Sequence, residues 1–441
     1  MKTNYFCPMP WISYAMRSNG YIRVCCYSNQ GITSGILRRD DGTPYTYKDN
    51  INSMRNCNLL KEIRKCILNG VWHPDCIRCQ REYNSKEHNC ESRYLVINNY
   101  TDFTLEDAIE TTNSDGSIDV DKVDLFYYDL RFGTKCNLRC RTCYATDSDG
   151  WYPEHQKIYR RHTFVDLDNT IEILKRGGKY IAKGDPYSWF KDEIFWKNIG
   201  EHLYTIRSMY IVGGEPLLID RHFDFLEECI KTENAERICL DYNTNLTVIP
   251  KRGMDVWEKF KRVHFGVSVD AIGKVNDYMR YPSKWEIIEK NFKEIVSKPN
   301  FSYDFSTTVS VFNIFRIVDT IKWGLDNIRN DRVITKAHPL HGPPFYNVKM
   351  FPLKSKKIIE DHLRKQIEGL SGYTDKVLKE IENCVNFYIN FMNQDNFENE
   401  IGLFWSITDR MDECRNQKIE DYIPELIQLI PRRKLNEFIQ L

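Results

Sequence analysis

From about residue 120 to residue 350, short runs rich in β-branched and aromatic residues alternate with stretches whose apolar positions recur at helical spacing. Six runs read as strands: VDLFYYDLRF (123–132), MYIVGG (209–214), RICLDYNTN (237–245), VHFGVSVD (263–270), YDFSTTVSV (303–311) and FYNVKMF (345–351). Between them, RHFDFLEECIK sets Phe223, Leu226 and Ile230 on one helical face, and the segments starting at Ser283 and Ile314 read the same way. Alternating strands and helices predict βα units joined in a parallel sheet. Six units are too few for an eight-stranded barrel. The pattern therefore predicts an α/β fold, a partial (β/α)6 TIM-like barrel over 121–352, with functional loops at the C-terminal ends of its strands. The acidic, polar stretch 101–120, with its DG turn signal, reads as a linker to a cysteine-rich segment, 1–100. Beyond 352, long charged amphipathic runs predict a helical C-terminal region, 353–441.

Charge adds little: Lys+Arg and Asp+Glu stand at 62 each, so no net field draws nucleic acid or an anionic membrane. No apolar run approaches the roughly 18 to 20 residues of a membrane span, and the start lacks the apolar core of a signal peptide. The expectation is a soluble cytoplasmic protein with no nucleic-acid or membrane partner. Cysteine changes the picture, because 15 thiols in a reducing compartment point to metal or redox work. Cys229, Cys239, Cys384 and Cys414 are scattered and read as small hydrophobes, but the others cluster.

Directly after the first strand stands KCNLRCRTCY, with Cys136, Cys140 and Cys143 in a C-x3-C-x2-C spacing. Three thiolates in one loop can hold three corners of a [4Fe-4S] cubane and leave the fourth iron open. Zinc is the alternative, although a structural zinc takes four ligands and no fourth is evident nearby. The spacing resembles the signature of the radical SAM superfamily, in which the open iron chelates S-adenosylmethionine (SAM). Further matches follow in order. Gly213, Gly214, Glu215 and Pro216 resemble the family's GGEP turn, whose glycines admit close backbone approach and whose carboxylate can hold a cationic amino group. Asn243 and Asn245 in YNTNLT, Ser268 ahead of Asp270 in VSVDAIG, and Arg280 in YMRYPSKW stand where the family binds SAM, the arginine as a carboxylate partner. Thr142 departs from the aromatic residue often found before the last cysteine, and Tyr144 follows it.

The first ninety residues carry Cys7, Gly20 with Cys25 as G-x4-C, and Cys76 with Cys79 as C-x2-C. This set resembles Twitch, the shortened relative of the SPASM domain, and the resemblance implies a second, auxiliary [4Fe-4S] cluster on Cys7, Cys25, Cys76 and Cys79. Zinc on four cysteines stays open. Ser85 stands where a full SPASM domain has a further cysteine, and the neighbours Cys25 and Cys26 compete for one ligand place, with the spacing from Gly20 favouring Cys25.

The resemblance implies reductive cleavage of SAM to methionine and a 5'-deoxyadenosyl radical for hydrogen abstraction. The electron comes from an external donor such as flavodoxin or ferredoxin. Relatives suggest modification of a peptide or protein side chain; dehydrogenation of a small molecule and a non-catalytic metal-binding scaffold are the alternatives. No general acid or base stands out. Glu154 with His155 reads as a solvated loop pair, and His338 with His341 as ordinary turn residues.

Overall fold

The computed structural model describes residues 5–28, 32–84, 102–159, 163–166, 169–327 and 338–432. Five of the predicted runs form strands, and they are joined by two strands from the cysteine-rich start. The seven-stranded sheet contains β1 (Ser13–Met16), β2 (Ile22–Arg23), β3 (Tyr127–Phe132), β7 (Ser208–Gly213), β8 (Cys239–Thr244), β9 (Arg262–Val267) and β10 (Phe301–Phe305), in the order β10-β9-β8-β7-β3-β1-β2. All neighbours are parallel except β1 and β2, which form a hairpin. Gly20 makes that hairpin possible: it adopts φ +81 at the turn, where its N–H donates to the Arg17 carbonyl. A three-stranded antiparallel sheet, β4 (Thr163–Asp166), β5 (Asn169–Arg176) and β6 (Lys179–Ala182), is inserted before β7, and β11 (Thr308–Val309) pairs with β12 (His338–Pro339).

Side-chain alternation gives the main sheet two unlike faces. One presents Tyr128, Leu130, Phe132, Ile211, Tyr242 and Phe265, all buried in an apolar core that includes the helix Asp220–Lys231 through Phe223 and Leu226. The other is polar. A second core unites the C-terminal helices Leu353–Glu368, Asp375–Asn393 and Ile401–Arg415 with the segment after the cysteine loop, through Trp151, Tyr346, Tyr388 and Phe404.

Two expectations are corrected. FYNVKMF is no strand: residues Pro344–Tyr346 and Val348–Met350 form single 3₁₀ turns. Pro343 and Pro344 lack the N–H a ladder needs, and the Asn347 side chain caps the second turn at Lys349 N (2.9 Å). Nor is 101–120 a free linker, since its described part is built into the core. Helix Leu105–Thr111 starts with a capping box of Thr104 and Asp107, Ala108 and Ile118 are buried, and the Trp11 indole donates to Thr112 Oγ1 at 2.8 Å. Buried Arg55 and Arg64 complete the tie by donating to the carbonyls of Trp11, Val120 and Val123 and of Pro10 and Gly116.

Candidate functional site

Because β3, β7, β8 and β9 are parallel, their C-terminal ends meet along one edge of the sheet. The cysteine loop leaves β3 at that edge through Gly133, which has φ +57 and approaches Tyr187 so closely that a Cβ would stand 2.0 Å from its carbonyl oxygen. The loop then folds back on itself. Asp149 Oδ1 accepts from Cys136 N (3.0 Å), the Ser148 hydroxyl donates to Leu138 O (2.5 Å), and the buried Trp151 indole donates to Cys140 O (3.1 Å). A turn from Cys143 N to Cys140 O (3.1 Å) brings the last two cysteines together.

In this turn the Cys143 thiol donates to the Cys140 sulfur. That bond lowers the Cys140 pKa to about 7 and keeps the proton on Cys143, whose own pKa rises. Burial pushes the Cys136 thiol up to about 12, with the Cys140 charge adding to it. Arg280 is within electrostatic reach of all three thiols. Burial opposes its charge, yet Cys140, Asp270 and Cys143 hold its pKa above the ordinary value. Its Nη1 donates to buried Asp270 (3.0 Å), while its Nε is buried with no hydrogen-bond partner. Among the described residues no group of three or more His, Cys, Asp or Glu side chains gathers around a single metal ion. A cubane asks for something different, one thiolate on each of three irons. The loop supplies three thiols in number and kind for that, beside a guanidinium with a spare buried N–H, although Cys140 and Cys143 would have to part from their mutual contact to take separate irons.

The GGE turn after β7 packs against this loop. A Cβ on Gly213 (φ +141) would meet Phe132 backbone at 2.8 Å, and one on Gly214 would meet Lys135 O at 2.4 Å, so glycine is required for the two segments to touch. Gly214 N donates to Gly133 O (3.2 Å) and Glu215 N to Lys135 O (2.8 Å). The Glu215 carboxylate is buried and accepts from Leu217 N (3.1 Å), Thr244 Oγ1 (2.8 Å) and Asn245 N (2.7 Å), lacing the end of β7 to the end of β8. Burial raises its pKa while these donors pull it down. A carboxylate has about four acceptor positions, so one remains for a ligand. Asn245 turns to the thiol loop, donating to Asn137 Oδ1 (2.9 Å) with Cys136 Sγ at 3.9 Å. Asn243 lies on the polar face and donates to Tyr210 OH (2.7 Å), and half-buried Ser268 follows β9 with its N–H on Thr244 O (2.8 Å). Cys136, Cys140, Cys143, Glu215, Asn245 and Arg280 thus come together, and Asn243 stands one layer apart.

The C-terminal helix supplies what local reading missed. Arg141, between the second and third cysteines, is buried and donates to Tyr278 O (3.0 Å), Asp412 (2.5 Å) and Gln417 (3.0 Å). Glu154 is not solvated: it is buried against Arg415 (2.8 Å) and Arg139 (3.1 Å), and His155 is buried beside it. Only the alternation of charge in TDRMDECR, at the end of the helix Ile401–Arg415, hints at Asp412 and Arg415. His338 and His341 are exposed, with His341 against Phe391.

In the cysteine-rich start, Cys76 lies within electrostatic reach of Cys25, Cys7 and also Cys66, and burial raises its pKa. Cys26 is coupled instead to Asp129 on the polar face of β3. Cys79 is on helix Ile77–Asn84, and the closing stretch with Ser85 and Cys90 falls outside the described residues. No known protein-family model matches the chain, and no curated protein sequence matches it.

Proposed function

We propose that the chain is a radical SAM enzyme, built as a partial barrel, which holds a [4Fe-4S] cluster on Cys136, Cys140 and Cys143 and binds SAM beside it. The observation that carries this reading is the meeting of the three-thiol loop with the GGE turn, Asn245 and Arg280 at one sheet edge. A cluster bound there would supply the electron that cleaves SAM to methionine and a 5'-deoxyadenosyl radical for hydrogen abstraction.

The chain's own residues do the positioning. Arg280, charged and with a spare N–H, is suited to the SAM carboxylate, and Glu215, with its last acceptor position, to the amino group. Asn245 clamps the loop through Asn137 and sets its distance from β8. Gly213 and Gly214 let the turn close onto the loop, and the buried Arg141–Asp412 and Glu154–Arg415 pairs hold the loop from behind, keeping water away from that side.

The N-terminal set, Cys7, Cys25, Cys76 and Cys79, is proposed to bind an auxiliary [4Fe-4S] cluster, supported by the electrostatic proximity of Cys7 and Cys25 to Cys76. An external flavodoxin or ferredoxin is proposed as reductant, and a peptide or protein side chain as substrate. No helix of the described residues is long and apolar enough to cross a membrane; a cytoplasmic setting is part of the proposal. The test is anaerobic reconstitution followed by assay for 5'-deoxyadenosine with dithionite and SAM. Product formed by the wild type supports the reading, and a reconstituted protein that forms none refutes it in favour of a metal-binding scaffold.

A further inference from the structure

The polar face of the main sheet is an unusual floor for a protein interior. Across its middle, backbone register aligns Arg23 on β2, Ala15 on β1, Asp129 on β3 and Tyr210 on β7. Ala15 is too small to fill the row, so the Arg23 side chain crosses above it and reaches Asp129 Oδ2 at 3.1 Å. Arg131, the next residue of β3 on this face, puts its Nε 3.5 Å from Asp129 Oδ1, an ion pair without hydrogen-bond geometry. Two guanidinium groups therefore share one carboxylate, leaving one positive charge in excess. The Asp129 side chain is fully buried and that of Arg23 is 4% exposed, and the Nε atoms of both arginines are buried without hydrogen-bond partners. Arg131 is packed among protein atoms yet leaves 32% of its side chain exposed, so its guanidinium is open to a solute. A buried charge is costly until it is paired.

We propose that Arg23, Asp129 and Arg131 form a subsite for a carboxylate group. The excess is a single charge, which a monoanion neutralises, and the planar fork of Arg131 suits two carboxylate oxygens. Arg131 stands two residues before Gly133, where the thiol loop leaves β3, so this end of the strand carries both the guanidinium and the loop. A ligand anchored here by its carboxylate extends toward Cys136 and its neighbours. If the proposed radical chemistry holds, its substrate carries a carboxylate one strand layer below the site of hydrogen abstraction; this extension rests on that proposal, whereas the subsite does not.

The probe is acetate, with acetamide as its uncharged counterpart, added at constant ionic strength to the full chain before iron is introduced and without SAM. Acetate is expected to raise the thermal midpoint saturably and acetamide to leave it unchanged. Arg131→Gln is expected to weaken the apparent acetate affinity roughly tenfold or more, and Arg131→Lys to restore part of it. Equal responses to acetate and acetamide, or an Arg131→Gln response like that of the wild type, overturn the subsite. Should Arg131→Gln fail to fold, Arg131→Lys takes its place, with an acetate response weaker than that of the wild type expected and an equal one overturning the subsite, because the wild type alone would also report acetate at Arg280. Because neither cluster nor SAM is present, loss of the radical SAM reading leaves this result standing, and loss of the subsite leaves SAM cleavage untouched.

Discussion

The two cysteine-bearing regions are held in opposite ways. The loop after β3 places its thiols within eight residues and is pinned by the GGE turn, by Asn245, by the Tyr278–Tyr281 backbone and by the C-terminal helix. The N-terminal set draws Cys7, Cys25 and Cys76 from separate segments, and only the added β1–β2 hairpin and the helices behind it bring them near each other. A local motif secured from four directions forms one rigid unit. A dispersed set inherits its geometry from the whole edge of the sheet.

That contrast can be broken most forcefully at Asp412. Its carboxylate accepts from Arg141, Tyr278 OH (2.9 Å) and Ile419 N (2.8 Å), so Asp412→Ala strands a buried guanidinium and is expected to cost about 3 to 5 kcal/mol. Urea unfolding measures the loss, and iron bound per chain is expected to fall at the loop while the N-terminal set keeps its share. Gly214→Ala comes next at about 1 to 3 kcal/mol, since the new methyl meets the Lys135 carbonyl, which is backbone and cannot swing aside. A change below about 0.5 kcal/mol would mean that turn and loop do not press on each other.

Acid should loosen the support beneath the loop. His222 is buried under Phe132, and burial lowers its pKa from 6.5 to about 3. The unfolded chain therefore takes up a proton that the folded chain refuses, so this contribution to stability is present above pH 6.5 and drains away as pH falls toward 3. Replacement by Gln is expected to flatten the stability profile across that window; an unchanged slope would place the titration elsewhere. The smallest structural effect is expected at the paired thiols of the hairpin: Cys25→Ser should reduce bound iron and Cys26→Ser should not, with both unfolding midpoints nearly unmoved. Equal iron in the two variants would remove Cys25 from the N-terminal set.

Sequence pattern and structure agree where periodicity and burial share a cause. The runs around Leu130, Ile211, Tyr242, Phe265 and Phe305 became parallel strands because their apolar side chains alternate onto one covered face. The thiol loop and GGE turn were legible for another reason: glycine and cysteine at those spacings serve few purposes besides close packing and metal binding. The contribution of β1 was hidden, because Tyr14 and Met16 offer only a short alternation and its partner β3 lies more than a hundred residues away. Proline chemistry at 343 and 344 defeated the reading of a sixth strand. The alternation in YDLRF sets Asp129 and Arg131 on one face of β3, but the Arg23 partner of Asp129 comes from a distant hairpin that no local window connects.

The central claim rests on the three thiols after β3, and one measurement addresses it directly. Wild type and the combined Cys136→Ala, Cys140→Ala, Cys143→Ala variant are reconstituted anaerobically, iron is quantified, and 5'-deoxyadenosine is assayed with dithionite and SAM. The wild type is expected to bind about eight irons and to form product, and the variant to retain about four irons and form none. Product from the variant at the wild-type rate would contradict the account.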